Sequence, residues 1–301
     1  MAAHGLKLDR RPELRNPALI AAFTGWNDGG EAASAAVRWL VRRLPGQRFA
    51  SIDAEHYHNF STTRPVVRLN GGERQITWPS HDAFFHTDPE KTRDLILMVA
   101  KEPEIQWRSY GDTVLDLAQT MGVTTLVTLG AFMGDTIHTR PVPISGFATT
   151  PELTERIVEI GATPSSYEGP SGMTSLIHDF ARRSGLPSFS LWAAVPQYLP
   201  TTANPKAALA LVRAVTRILE LDLDLRRLEA AASFFQRQVD QAIANDRRAT
   251  GMLRALERRV DEGEDDEPIS SEPTGALPSA EEIIRDLESF LRTQEEDDDE
   301  A

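Results

Sequence analysis

The chain has 301 residues, 41% of them apolar and none of them cysteine; that length holds one large domain with an appendage, and disulfides, thiolate nucleophiles and cysteine-ligated zinc or iron–sulfur sites are excluded. The net charge of −13 is uneven, with 17 acidic and 2 basic side chains in residues 261–301 against 28 acidic and 30 basic before them, and a near-neutral body with an acidic tail lacks the clustered positive face that nucleic-acid binding needs. No apolar run approaches the roughly 20 residues of a membrane span, and "MAAHGLKLDRRPELRNP" carries no apolar signal segment, so a cytoplasmic protein without membrane contact is expected.

In chain order, "ALIAAFTGW" reads as a buried strand, followed by a helix over 28–44 with Ala33, Ala36, Val37 and Leu40 on one face. "RFASIDAE" is a strand. "PVVRLNGGERQITWP" is a β-hairpin turning at Asn70-Gly71-Gly72, because Asn and Gly tolerate the positive φ of tight turns. "DLILMVAKEP" is a strongly apolar strand, "GDTVLDLAQTMG" a helix and "TTLVTLGAF" another buried strand. "SGMTSLIHDFARRSG" is a helix closed by Gly185, and "PSFSLWAAVPQY" a further strand. Continuous apolar runs between helices predict an α/β protein with a mainly parallel sheet covered on both faces.

The pattern changes after Tyr198. "NPKAALALVRAVTRILE" is a helix with Pro205 in its first turn, where a missing N–H does no harm. From Leu225 to Val260 apolar positions step by three and four, a heptad seam broken only by Asp246. With Asn245 and Gly251 close by, this segment folds back as a helical hairpin or runs as one rod. Residues 261–278, acidic and rich in Pro, Ser and Gly, are expected to be a disordered linker. In 279–301, Ser279 and Glu282 have capping-box spacing, and Ile283, Ile284, Leu287, Phe290 and Leu291 form one apolar face. This tethered helix docks on its own body or binds a partner. The expected domains are a body over 1–203, a helical extension over 204–260, the linker, and the amphipathic helix with its acidic end.

Four clusters carry candidate chemistry. "GWNDGG" (Gly25, Trp26, Asn27, Asp28 and the two following glycines) meets the next helix with Asp28 at the cap and Glu31 three residues on, a capping-box spacing that places two carboxylates where a phosphate would sit. Neither nucleotide-binding glycine fingerprint is present, so the segment is a structural turn, a partner surface, or the seat of a catalytic acid. "LGAFMGDTIHTRPVPISG" offers Asp135, His138 and Arg140, an acid–base–cation set at a strand's carboxyl end, or a loop pinned by ordinary hydrogen bonds. "YEGPSGMTSLI" brings Gly169, Ser171 and Gly172 to a helix start, where Ser171 caps or holds an anion; it is not the G-x-S-x-G elbow of a hydrolase. "EHYHN" puts His56 and His58 on one side of a strand, but no third ligand lies nearby, so no metal and no cofactor is expected.

"GWNDGG", "LGAFMGDTIHTRP", "YEGPSGMTSLI" and "WAAVPQYLPTTANPKAAL" together resemble the landmarks of the proteasome assembly chaperone family, in its actinobacterial branch, over about residues 15–260. Gly30 fits the small residue the family shows after Gly29, whereas Gln197 stands where the family often has His. The resemblance implies a three-layer α/β/α sandwich like that of the nucleoside phosphorylase and hydrolase group, and a homo-oligomer. It also implies protein partners, among them proteasome α-subunits. Some archaeal relatives engage proteasomes through a hydrophobic–Tyr–any-residue tail, and this chain ends "EEDDDEA". The leading expectation is a non-enzymatic chaperone-like protein. The alternatives are a phosphorylase- or hydrolase-type enzyme using Asp135, His138 and Arg140 with Ser171 and Gly172 on an anion, and a subunit of another cytosolic complex.

Overall fold

The computed structural model describes residues 5–88, 90–199 and 203–261; the expected linker and the amphipathic segment with Ile283, Ile284, Leu287, Phe290 and Leu291 lie outside them. The elements run β1 (Leu6–Leu8), β2 (Ala18–Thr24), α1 (Ala32–Arg43), β3 (Gln47–Ile52), β4 (Val66–Asn70), β5 (Glu73–Thr77), β6 (His81–His86), β7 (Leu95–Lys101) and α2 (Trp107–Thr120). They continue with β8 (Thr125–Gly134), β9 (Ile144–Ala148), α3 (Pro151–Glu159), β10 (Thr163–Pro164), α4 (Met173–Arg183), β11 (Ser188–Pro196), α5 (Pro205–Leu219), α6 (Arg226–Ala244) and α7 (Arg247–Asp261).

Nine strands form one sheet in the order β1-β3-β6-β7-β2-β8-β11-β9-β10. The central four, β7, β2, β8 and β11, are mutually parallel. Antiparallel pairings add β6, β3 and β1 on one side and β9 on the other. β2 shows why the centre reads as unbroken apolar sequence. Its Ala18, Ile20 and Ala22 enter a core with α1 and α5, while Leu19, Ala21 and Phe23 enter a second core with α2 and α4. A strand buried on both faces has no polar side to display. The result is the three-layer α/β/α sandwich, mostly parallel through its centre.

α6 extends the first core outward through Leu228 and Ala232. The heptad segment is broken at Asn245 and Asp246, and Asp246 Oδ1 accepts from the N–H groups of Arg248 at 2.7 Å and Ala249 at 3.2 Å. The residue that interrupts the apolar seam is thus the cap that starts α7. α7 returns toward the body, where Glu257 accepts a hydrogen bond from Thr139 at 3.1 Å.

Two readings are corrected. The helix expected from Asp28 starts at Ala32, because Gly29–Glu31 form a short 3-10 turn with Glu31 at φ 50°. His56 and His58 do not share a strand; residues 54–56 form a 3-10 turn, and His58 turns inward to His81. β1, β6, β9, α3 and β10 were not anticipated. The hairpin is present, with Gly71 and Gly72 both at positive φ and ten strand residues that are all exposed.

Candidate functional site

The four parallel strands end at one edge, where sheets of this kind present ligand-binding loops. The chain fills one side of the sheet after β2 and the other from β8 onward, so the crevice between these two strands is the place to look. The chain itself occupies it. Asp28 bridges to Ala131, the Ala131 N–H donates to the Asn27 carbonyl at 2.8 Å, and Gly29 lies so close to Phe132 that a Cβ would sit 3.1 Å from its backbone.

Around that crevice the structure gathers Gly25, Trp26, Asn27, Asp28 and Gly172. Asn27 is buried, and its amide donates to Glu102 at the end of β7. The same Glu102 oxygen accepts the Met173 N–H at 2.7 Å, the first donor of α4. Gly172 faces the Asn27 amide so closely that a side chain there would overlap it. Asp28, 7% exposed, accepts from the N–H groups of Ala33 at 2.9 Å and Ser34 at 3.0 Å. Burial pushes both carboxyls up from their ordinary values, and these same hydrogen bonds pull them partly back. The expected reach of Glu31 back to the cap does not occur: Glu31 turns to Arg38 at 3.9 Å, and the Asp28 N–H donates to Gly25 instead. The 3-10 turn moves Glu31 out of range.

Helix N-termini attract anions through free N–H groups and the helix dipole. Here both termini nearest the crevice are filled by the chain's own carboxylates, Asp28 on α1 and Glu102 on α4. Added phosphate would meet negative charge and find those donors taken. Gly169 packs against Tyr167, whose hydroxyl donates to the Pro170 carbonyl at 2.9 Å. Ser171 is exposed, and its hydroxyl makes a long 3.4 Å contact to the Gly172 carbonyl. Trp26 stands out of the edge, 57% exposed.

Asp135 and His138 do not pair with each other. Asp135 accepts from Gln197 at 3.2 Å. His138 is buried between Tyr198, 2.6 Å from Nδ1, and Asp240 of α6, 3.0 Å from Nε2. The Tyr198 hydroxyl also accepts the His138 backbone N–H at 2.8 Å. Its own proton is therefore directed at Nδ1, and the Nε2 proton at Asp240. The backbone carbonyls of His138 and Arg140 both accept from Lys206. This chain of bonds clamps α6 and the start of α5 to the loop after β8.

Glu102, Tyr198, Lys206 and Asp240 escaped the sequence reading. Glu102 alone carried a local signal, as an acid directly after a strongly apolar strand. The others are joined to His138 across 60 to 102 residues. His58 Nε2 lies 2.8 Å from His81 Nε2, and burial holds His81 neutral, its basicity pushed down to about 3. Among the described residues no group of three or more His, Asp or Glu is arranged to hold a metal, and no helix is long and apolar enough to cross a membrane.

With this geometry fixed, comparison with known proteins is direct. The family model described as PAC2 family matches residues 22–243. A PAC2 family protein from Streptomyces avermitilis is 42% identical, covering 75% of this chain and 95% of its own, with a TM-score of 0.70. A proteasome-assembly chaperone homologue from Mycobacterium tuberculosis is 35% identical over 78% of this chain and 98% of its own, also at 0.70. An archaeal proteasome activator from Pyrococcus furiosus, 19% identical over 79% of this chain and 97% of its own, shares the fold at 0.65. No curated protein sequence matches. By the family model, the 42% identity and the shared fold, the chain belongs to the PAC2 family.

Proposed function

We propose that this protein is chaperone-like: it binds protein partners, proteasome α-subunits among them, through the carboxyl edge of its sheet, and carries out no chemistry of its own there. The observation that carries this reading is the closed crevice. Asp28 and Glu102 occupy the helix N-termini that a phosphorylase-like site would use, while Trp26 is left exposed above them. The resemblance to a proteasome-assembly chaperone homologue supports the partner class. Exposed aromatic side chains beside a rigid framework suit protein contact, since aromatic anchors dominate many interfaces.

Self-association belongs to the same reading. On the β4–β5 hairpin, Val67, Leu69 and Ile76 share one face by register and are 50–74% exposed. Such an apolar face supports contact with another chain.

The test mixes the pure protein with purified proteasome α-subunits and follows ring assembly by native mass spectrometry. A complex or a changed assembly rate is expected, with Trp26→Ala weakening it at least tenfold while leaving the melting temperature unchanged. Absence of any complex and of any rate change sinks the reading. A melting-temperature rise on addition of nucleosides, phosphate or small esters would favour the enzyme alternative, since a ligand that binds only the native state stabilises it.

A further inference from the structure

The chain leaves the body after His58 and re-enters it at His81, and the excursion between them carries the exposed β4–β5 hairpin as an arm. Both ends of the excursion are fixed. The Tyr57 carbonyl accepts the N–H groups of Glu104 at 2.9 Å and Ile105 at 3.2 Å, and His81 pairs with Ile52 in the sheet. Across the base of the arm, His58 Nε2 lies 2.8 Å from His81 Nε2, with both rings buried. Tyr110 of α2 packs edge-on against His81, ring centroids 5.2 Å apart.

We propose that the His58–His81 pair is a proton-released latch: neutral, it closes the base of the β4–β5 arm, and protonation of both rings frees the arm to swing on the body. A nitrogen–nitrogen contact this short holds one proton, given by one Nε2 and accepted by the other. Two imidazoliums would point N–H at N–H. A first extra proton must go to an Nδ1 atom instead. Both Nδ1 atoms are buried without a hydrogen-bond partner, as is the Tyr110 hydroxyl, so charge placed there is unsolvated. Opening the base gives water to all three groups. Of the charged groups facing the pair, Glu104 favours a proton on His58 and Lys101 opposes it, and burial outweighs both and holds His58 below its ordinary value. At His81 burial, with His58 adding to it, pushes the basicity down to about 3. Tyr110, the titratable group that α2 brings to the pair, stays neutral because burial pushes it up. The open arm therefore takes up protons that the latched arm refuses. The ratio of open to latched chains rises as pH falls below 6.5, by about tenfold per pH unit for each ring. Glu104 accepts from the Asn59 N–H at 2.8 Å and from the Thr63 hydroxyl. These bonds, that of Thr63 first, hold its carboxyl below the usual range, so they persist at pH 5 and serve as the hinge. The inference is independent of the proteasome reading and of what the arm contacts.

The chain has no cysteine, so nitroxide labels attach only where cysteines are introduced, at the exposed Gln75→Cys on β5 and Gln119→Cys on α2. Their distance distribution, read by electron–electron double resonance on the full-length chain, tests the latch. A narrow distribution is expected at pH 7.5, with the open share at least about tenfold larger at pH 5.0 and the change reversed on return. His178→Gln, a buried histidine elsewhere, should keep the response, and His58→Gln/His81→Gln should abolish it. In the unsubstituted chain, the ring signals of His58 and His81 in carbon-13 NMR should titrate with the same midpoint as the arm. Equal distributions at both pH values overturn the proposal. So does a response that survives the double variant, or a midpoint at which neither ring titrates. Loss of amide protection in β2 and β8 together with the arm also overturns it, since the body is then unfolding as a whole.

Discussion

Gly172 has an ordinary negative φ of −100°, so its backbone does not demand glycine. What demands it is the Asn27 amide packed against its Cα, itself buried and held by Glu102. Gly172→Ala therefore forces the Asn27–Glu102–Met173 bonds apart, and a loss of about 1–3 kcal/mol is expected in urea unfolding. A variant as stable as the parent would mean that Asn27 is free to move. A second residue-scale consequence concerns pH. His178 is fully enclosed, with Thr128 at 2.7 Å from Nε2 and Ser188 at 2.9 Å from Nδ1, and burial pushes its basicity down to about 3. At His81 burial, with His58 adding to it, gives the same value of about 3. Both folded values lie below the ordinary 6.5, so the unfolded chain takes up the protons first. Their contribution is present above pH 6.5 and is lost as pH falls toward 3, at up to about 1.4 kcal/mol per pH unit for each histidine. The raised Asp28 and Glu102 act in the opposite sense above their own ordinary values. Unfolding followed from pH 7 to 5 should show this fall, and His178→Gln should reduce its slope by about one proton. An unchanged slope would remove His178 from the account.

α7 begins because Asp246 supplies acceptors for the first free N–H groups of the helix. Asp246→Ala is expected to cost about 0.5–2 kcal/mol, localised to α7: its amides should exchange faster while those of β2 and β8 do not. Equal loosening of the central strands would show that α7 and the body open as one unit. This element also shows what sequence can and cannot carry. The three-four stepping of apolar residues was legible over the whole of α6 and α7, and Asp246 was legible as its interruption. Its role as a cap became visible only with the turn at Asn245. The buried strands and the Asn70–Gly72 turn were legible for the same reason, since each is written in neighbouring residues. The edge strands β1 and β10, and β9 beside β10, were not, because with only two to five residues each they are too short to show a period and exist through their partners. The site divides likewise. Trp26, Asn27 and Asp28 announce themselves in one run, whereas Tyr198, Lys206 and Asp240 converge on His138 from separate elements.

For the molecule as a whole, the two cores lie between the nine-stranded sheet and its helices, and the β4–β5 hairpin adds nothing to either. Replacing residues 66–77 with a short Gly-Ser link should therefore shift the melting temperature by no more than about 2 °C, while lowering self-association in sedimentation. A drop of 8 °C or more would place the hairpin within the folded body. The order of the sheet has a further consequence, for synthesis. β2 is among the first parts of the chain to be made, yet it sits at the centre and pairs with β7 and β8, which begin 77 and 107 residues later. At about 5–20 residues per second, this apolar strand waits roughly 4–20 s on the ribosome before its neighbours emerge. A protein of a chaperone family thus spends the first part of its life with a bare hydrophobic strand, in the condition that calls for a chaperone's shelter.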